Sequence, residues 1–143
     1  VAAGRLGYGL RKAKQLCVAE SQNGSMYRYA KGHHFLGRIY MAMLEKDDRP
    51  SFSMIIRNLF FVIRNLPIAT KMAEKHLLES ARIANKIGSL GLEAETCLDL
   101  GRLYLTQNRY KSKQLLLKAA SLFRHCNADI FLKQVESLLR ETV

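Results

Sequence analysis

Hydrophobic residues recur along this chain at spacings of three and four, the period of an α-helix rather than of a strand. The clearest stretch is residues 92–107, where Leu98, Leu100, Leu103 and Leu105 are apolar. Asn108 and Arg109 make a turn, and residues 110–125 follow as a helix with Leu116, Leu117, Ala120 and Phe123 on its buried side. Asn127 punctuates, and residues 130–140 predict another helix. Upstream, the Asn23-Gly24 turn signal opens a helix over about 25–46. Another begins at Pro67, a residue suited to a first helical turn, and ends near Ile87, with Gly88 placed as a C-terminal cap. Between these two, residues 51–66 predict an inserted helix. There Ile56-Arg57-Asn58-Leu59 is echoed by Ile63-Arg64-Asn65-Leu66, and a narrow polar stripe leaves most of the circumference apolar. Residues 5–20 read as the last helix of a preceding unit. The pattern therefore predicts an all-α chain of about seven helices.

Internal repetition organises these helices. Ala30 is followed by Leu36-Gly37-Arg38-Ile39-Tyr40, and Ala94 by Leu100-Gly101-Arg102-Leu103-Tyr104, 64 residues further on. A glycine inside a helix costs about 1 kcal/mol relative to alanine. Finding it twice in the same pentad implies a packing reason, namely the close approach of a second helix. Stacked helical hairpins that bury their apolar faces on one another have this character. One domain over 1–143 is predicted: a leading helix within 1–22, a first repeat over 25–88 with its insert at 51–66, a second repeat over 92–126, and a closing helix in 127–143.

The second unit resembles the tetratricopeptide pattern through Leu100-Gly101, Tyr104, Leu117 and Ala120, with Lys113 standing where a small residue is usual. The first matches through Leu36-Gly37, Tyr40, Ala73, Leu77 and Ser80. A more specific resemblance covers about residues 30–139. It rests on Leu36-Gly37-Arg38-Ile39-Tyr40, Ile56-Arg57-Asn58-Leu59-Phe60, Leu66-Pro67 followed by Ala73-Glu74-Lys75-His76-Leu77, Leu98-Asp99-Leu100-Gly101 and Phe131-Leu132-Lys133-Gln134. These segments are similar to the C-terminal helical-repeat region of multidomain adenylate/guanylate cyclase-type proteins, in which a class III cyclase domain and an AAA-type ATPase module precede the repeats. The resemblance implies a right-handed α-solenoid and a regulatory or scaffolding role, without the parent's catalytic parts. The start at Val1 leads to the expectation that the chain is cut from a longer solenoid.

Composition adds the electrostatics. Among 143 residues, 23 Lys and Arg face 12 Asp and Glu, a net charge of +11. A basic field of this size suits nucleic acid or anionic surfaces without specifying them. Aromatics are 8% of the chain and do not interleave with the basic residues in the sequence as stacking platforms would. Arg109, Lys111, Lys113 and Lys118 read as a solvated helix face. The run Met54–Ala69 is too short for a membrane of about 30 Å and carries two arginines. No signal-peptide pattern is present. Cys17, Cys97 and Cys126 are odd in number and far apart, as reduced thiols in a cytoplasmic protein would be.

Catalytic chemistry has few candidates. No phosphate-cradling loop with its lysine exists, and Gly4, Gly7 and Gly9 follow no strand. His33 and His34 point about 100° apart on a helix and do not form a two-ligand face; His33 reads as a partly buried structural residue. His125-Cys126 closes a helix, and Asp47-Asp48 sits in a loop. No cofactor, metal or enzymatic activity is expected. A binding groove has better support. Lys31, His34, Arg38 and Met41 share one helical face, as do Glu95, Leu98, Arg102 and Leu105. Basic heads over apolar residues suit an extended or helical peptide carrying some acid, supplied in cis or in trans, with Arg38 and Arg102 as its anchors. The alternative is a basic repeat that binds nucleic acid.

Overall fold

The computed structural model describes residue 8, residues 10–15, residue 19, residues 24–44 and residues 52–142, with only the backbone described over 52–67. Every regular element among these is helical. A helical stretch at 10–15 precedes α1 (Met26–Ala42), α2 (Phe52–Lys86), α3 (Leu90–Tyr104), α4 (Arg109–His125) and α5 (Asp129–Glu141). Each helix from α1 to α5 packs on its neighbours in sequence, and α1 also touches α3.

The helix ends follow local chemistry. Ser25 and Asn108 cap α1 and α4 by accepting the backbone N–H three residues on. Gly88 (φ 69°) and Asn127 (φ 53°) take the left-handed conformation just past α2 and α4. At both ends one backbone N–H reaches back five residues and its predecessor three: Ser89 to Ala84 with Gly88 to Asn85, and Ala128 to Phe123 with Asn127 to Arg124. This double bond closes the last turn and starts a short connection.

Two expectations are corrected here. The separate helices predicted over 51–66 and 67–87 are one continuous 35-residue helix that runs through Pro67. An interior proline withdraws one backbone hydrogen bond. Beyond it Ala69, Ala73 and Leu77 are fully buried, and that packing favours helix on this side of the proline. The predicted burial of Met54, Ile55, Leu59, Phe60, Val62 and Ile63 lies outside the described side chains. So do Gly4, Gly7, Gly9, Cys17 and Asp47-Asp48. The second correction concerns α4. Its buried stripe is Ser112, Leu116, Ala119, Ala120 and Phe123, whereas Leu117 is 52% exposed. The small residue sought at Lys113 is Ser112, whose Oγ donates to the Gly101 carbonyl at 2.8 Å.

The repeated glycines perform the same task twice. A β-carbon on Gly37 would lie 2.6 Å from Leu77 Cγ, and one on Gly101 would lie 2.7 Å from Leu116 Cδ2. Around these contacts the pentads are buried alike, Leu36 with Tyr40 and Leu100 with Tyr104. Helix α3 contributes to all three apolar clusters among the described residues: one shared with α1, α2 and the 10–15 stretch, one with α4 and α5, and one with Tyr29, Ala30, Ile83 and Ala84.

Gly37→Ala and Gly101→Ala should therefore each destabilise the chain by about 1–3 kcal/mol through overpacking, despite alanine's better helix propensity. Gly91→Ala meets nothing within 4 Å and should be neutral or stabilising by up to about 1 kcal/mol. Urea unfolding of the three variants checks the ordering.

Candidate functional site

The two predicted groove faces meet where α1 crosses α3. Lys31 Nζ donates to Glu95 Oε2 at 2.8 Å. His34 Nε2 lies 2.9 Å from Asp99 Oδ2, and both residues are buried. On its other side His34 Nδ1 is 3.8 Å from Glu95. Arg38 Nε approaches Asp99 at 3.7 Å and Arg102 Nη1 at 3.4 Å, so two guanidinium groups share one carboxylate. Arg102 Nη2 also donates to Gln134 of α5 at 3.3 Å. The spacing of three and four residues on each helix makes this possible. It stacks Lys31, His34 and Arg38 opposite Glu95, Asp99 and Arg102.

Two cavities open along this seam. One of about 300 Å³ is lined by His34, Arg38, Glu95, Leu98, Asp99, Arg102, Phe131 and Gln134. The other, about 510 Å³ and mostly apolar, lies between Met41, Leu44, Thr70, Leu103, Thr106 and Gln107, and shares Arg102 as a wall. Six of the eight predicted groove residues therefore line one cavity or the other. Lys31 stands beside them, tied to Glu95. Leu105 does not reach either; it sits past the last turn of α3 and is half-buried. Leu98 lines the smaller cavity but mainly fills the core with Phe123 and Val135.

Sequence reasoning left two residues out of the groove. Asp99 is the hub of the network, buried in a leucine run and bonded to a histidine 65 positions away. Phe131, stacked on Phe123 and partly exposed, forms the far wall. A carboxylate inside an apolar run was the available signal, since such a group must be paired when buried.

The exposed edge of α1 adds a pattern that overall composition hid. Tyr27, Lys31, Phe35 and Arg38 succeed one another at spacings of four, four and three. Tyr27 and Phe35 are 52% and 54% exposed. Aromatic and basic side chains do interleave here, contrary to the expectation from sequence.

The other candidate groups have structural partners. Lys118 bonds the buried Glu93 at 2.6 Å, and Lys111 lies over the Tyr104 ring while bonding its hydroxyl at 3.2 Å, so neither is simply a solvated charge. The Tyr104 hydroxyl also bonds Glu74, and burial together with that carboxylate raises its pKa. Burial pushes the Cys97 thiol up to about 11, which keeps it protonated and a poor nucleophile. His33 is half-buried against His76 of α2. Among the described residues no group of three His, Cys, Asp or Glu side chains is placed to hold a metal ion. No described helix is long and apolar enough to cross a membrane.

No family model, curated protein or solved structure matches this chain.

Asp99→Asn keeps the shape and removes the charge that His34, Arg38 and Arg102 share. It should cost about 1.5–3 kcal/mol, the worth of a hydrogen bond to a charged group. Glu95→Gln, at the half-exposed Lys31 pair, should cost under about 1 kcal/mol. Urea midpoints of the two variants measure this, and equal stability of Asp99→Asn and wild type would contradict the hub assignment.

Proposed function

We propose that this chain is a non-catalytic protein-interaction module, a right-handed solenoid of tetratricopeptide-like hairpins that holds a protein segment in the seam between α1, α3 and α5. The observation that supports this most is the convergence of six predicted groove residues on two adjoining cavities, one apolar and one charged. Exposed aromatic and arginine side chains beside a cavity are the residue types that carry binding energy at protein interfaces. Asp99 supplies one negative charge to two guanidinium groups, which leaves positive charge at the mouth for an acidic residue of the partner. The sequence resemblance to cyclase- and ATPase-type multidomain proteins supports a regulatory, scaffolding role in the cytoplasm, as part of a larger signalling protein.

A second reading is favoured by the alternation of Tyr27, Lys31, Phe35 and Arg38. On a chain of net charge +11, such an edge suits single-stranded nucleic acid, with bases stacked on the rings.

Peptides selected on the immobilised chain by phage display, together with a single-stranded RNA of mixed sequence, separate the two. A groove-bound peptide should keep its affinity within a few-fold between 50 and 500 mM salt. Arg38→Glu with Arg102→Glu should weaken it by more than about tenfold, or 1.4 kcal/mol, with circular dichroism confirming that the variant is folded. RNA binding should instead fall by orders of magnitude with salt. RNA binding with no selectable peptide would replace the first reading with the second.

A further inference from the structure

The imidazoles of His33 on α1 and His76 on α2 face each other with their Nδ1 atoms 2.9 Å apart. The His33 ring meets Tyr29 edge-on, and the His76 ring stacks on Tyr40. His76 is buried, and its second nitrogen, Nε2, has no hydrogen-bond partner. Charged groups face the pair from each element around it. Lys75 and Glu79 lie on α2, with Glu79 held by two bonds from Arg82. Lys14 comes from the 10–15 stretch, its ammonium above the Tyr40 ring.

Counting protons shows why this arrangement is sensitive. A neutral imidazole carries one proton, and a bond between two Nδ1 atoms uses one between them. Two neutral rings satisfy this without a buried orphan donor in one way. His76 donates from Nδ1 and leaves Nε2 bare, while His33 accepts on Nδ1 and carries its proton on the half-exposed side. A third proton has no such solution. If the bond is kept, both Nε2 atoms carry hydrogens, and the buried His76 N–H has no acceptor. If the proton goes to the second Nδ1, two N–H groups oppose each other across 2.9 Å. Each outcome leaves a donor unmet, which is costly in a buried site.

We propose that the His33–His76 pair is a proton-sensitive latch for α1, the helix that carries Lys31, His34 and Arg38 into the groove. Taking up one proton from water opens the latch, loosens the packing of α1 on α2 around it, and with it the Lys31–Glu95 and His34–Asp99 bonds on the helix's other side. This is regulation of the groove proposed above, and it rests on that reading for its functional consequence alone. Burial, His33, Lys14 and Lys75 lower the His76 pKa from 6.5 to about 4, and burial lowers that of His33 too. The latched state thus binds fewer protons than the open one. Its contribution is complete above the ordinary histidine value and is lost as the pH falls from 6.5 toward about 4.

Hydrogen exchange of the full chain without ligand tests the latch. Amide protection, corrected for intrinsic exchange, is compared at pH 7.5 and pH 5.0 for residues 32–40 of α1 and residues 112–123 of α4. Protection of α1 should fall on the order of tenfold more than that of α4, one unit of pKa difference being tenfold. His76→Phe keeps the stack on Tyr40 and removes both nitrogens, and should reduce the excess to under about twofold. His33→Gln, at the half-exposed position, should do the same and carries the test if His76→Phe does not fold. His34 stays in both variants, so a response that it caused would survive them. Equal loss in α1 and α4, or a wild-type response in the variants, would overturn the latch and leave the groove reading standing. Failure of peptide binding would leave the latch result unaffected.

Discussion

Two β-carbons that are missing set the geometry on which the rest of this molecule depends. At Gly37 and at Gly101, leucine side chains from the partner helix occupy the space that any other residue would need. Each crossing brings two helices closer than an alanine would allow, and each is flanked by a buried leucine and a buried tyrosine of the same pentad. The cost of glycine in a helix, about 1 kcal/mol, is offset by the packing of Leu77 and Leu116, both fully buried. Because α3 takes part in every apolar cluster among the described residues, its position is fixed from several sides. The groove inherits that rigidity, since its acidic side stands on α3.

Charge is arranged around the same helix. Asp99 and Glu93 are both carboxylates on α3 that are almost wholly buried, and each is met by a cation and by further polar partners from other helices or from its own next turn. Asp99 takes His34, Arg38 and Arg102, while Glu93 takes Lys118 and Asn85. Burying a carboxylate is expensive unless it is paired. These pairings therefore select one mutual register of α1, α3 and α4, and that register aligns the residues lining the two cavities.

Much of this was legible in the sequence where the signal was local. The turn at Asn23-Gly24, the cap at Gly88, the breaks at Asn108 and Asn127 and the close-packed glycines each rest on a few neighbouring residues. The spacing of Lys31, His34 and Arg38 placed them on one face, and that face meets Glu95 and Arg102. What failed depended on phase or on distant contacts. Leu115-Leu116-Leu117 offers three apolar residues in a row, so periodicity alone does not say which one is buried. Pro67 carried the signature of a helix start, yet the helix runs through it. Asp99 and His76 looked ordinary because their partners, His34 and His33, are 65 and 43 residues away. The interleaved edge of α1 appeared only when exposure separated Tyr27 and Phe35 from the buried aromatics.

The central claim is that both pentads make the same helix crossing, α1 on α2 through Gly37 and Leu77 and α3 on α4 through Gly101 and Leu116. Nuclear Overhauser spectroscopy on protein with labelled leucine methyl groups tests it most directly. The account predicts strong cross-peaks from the Gly37 Hα protons to the Leu77 methyls, and from the Gly101 Hα protons to the Leu116 methyls. Cross-peaks from Gly101 to Leu117 instead, or none from either glycine, would contradict it.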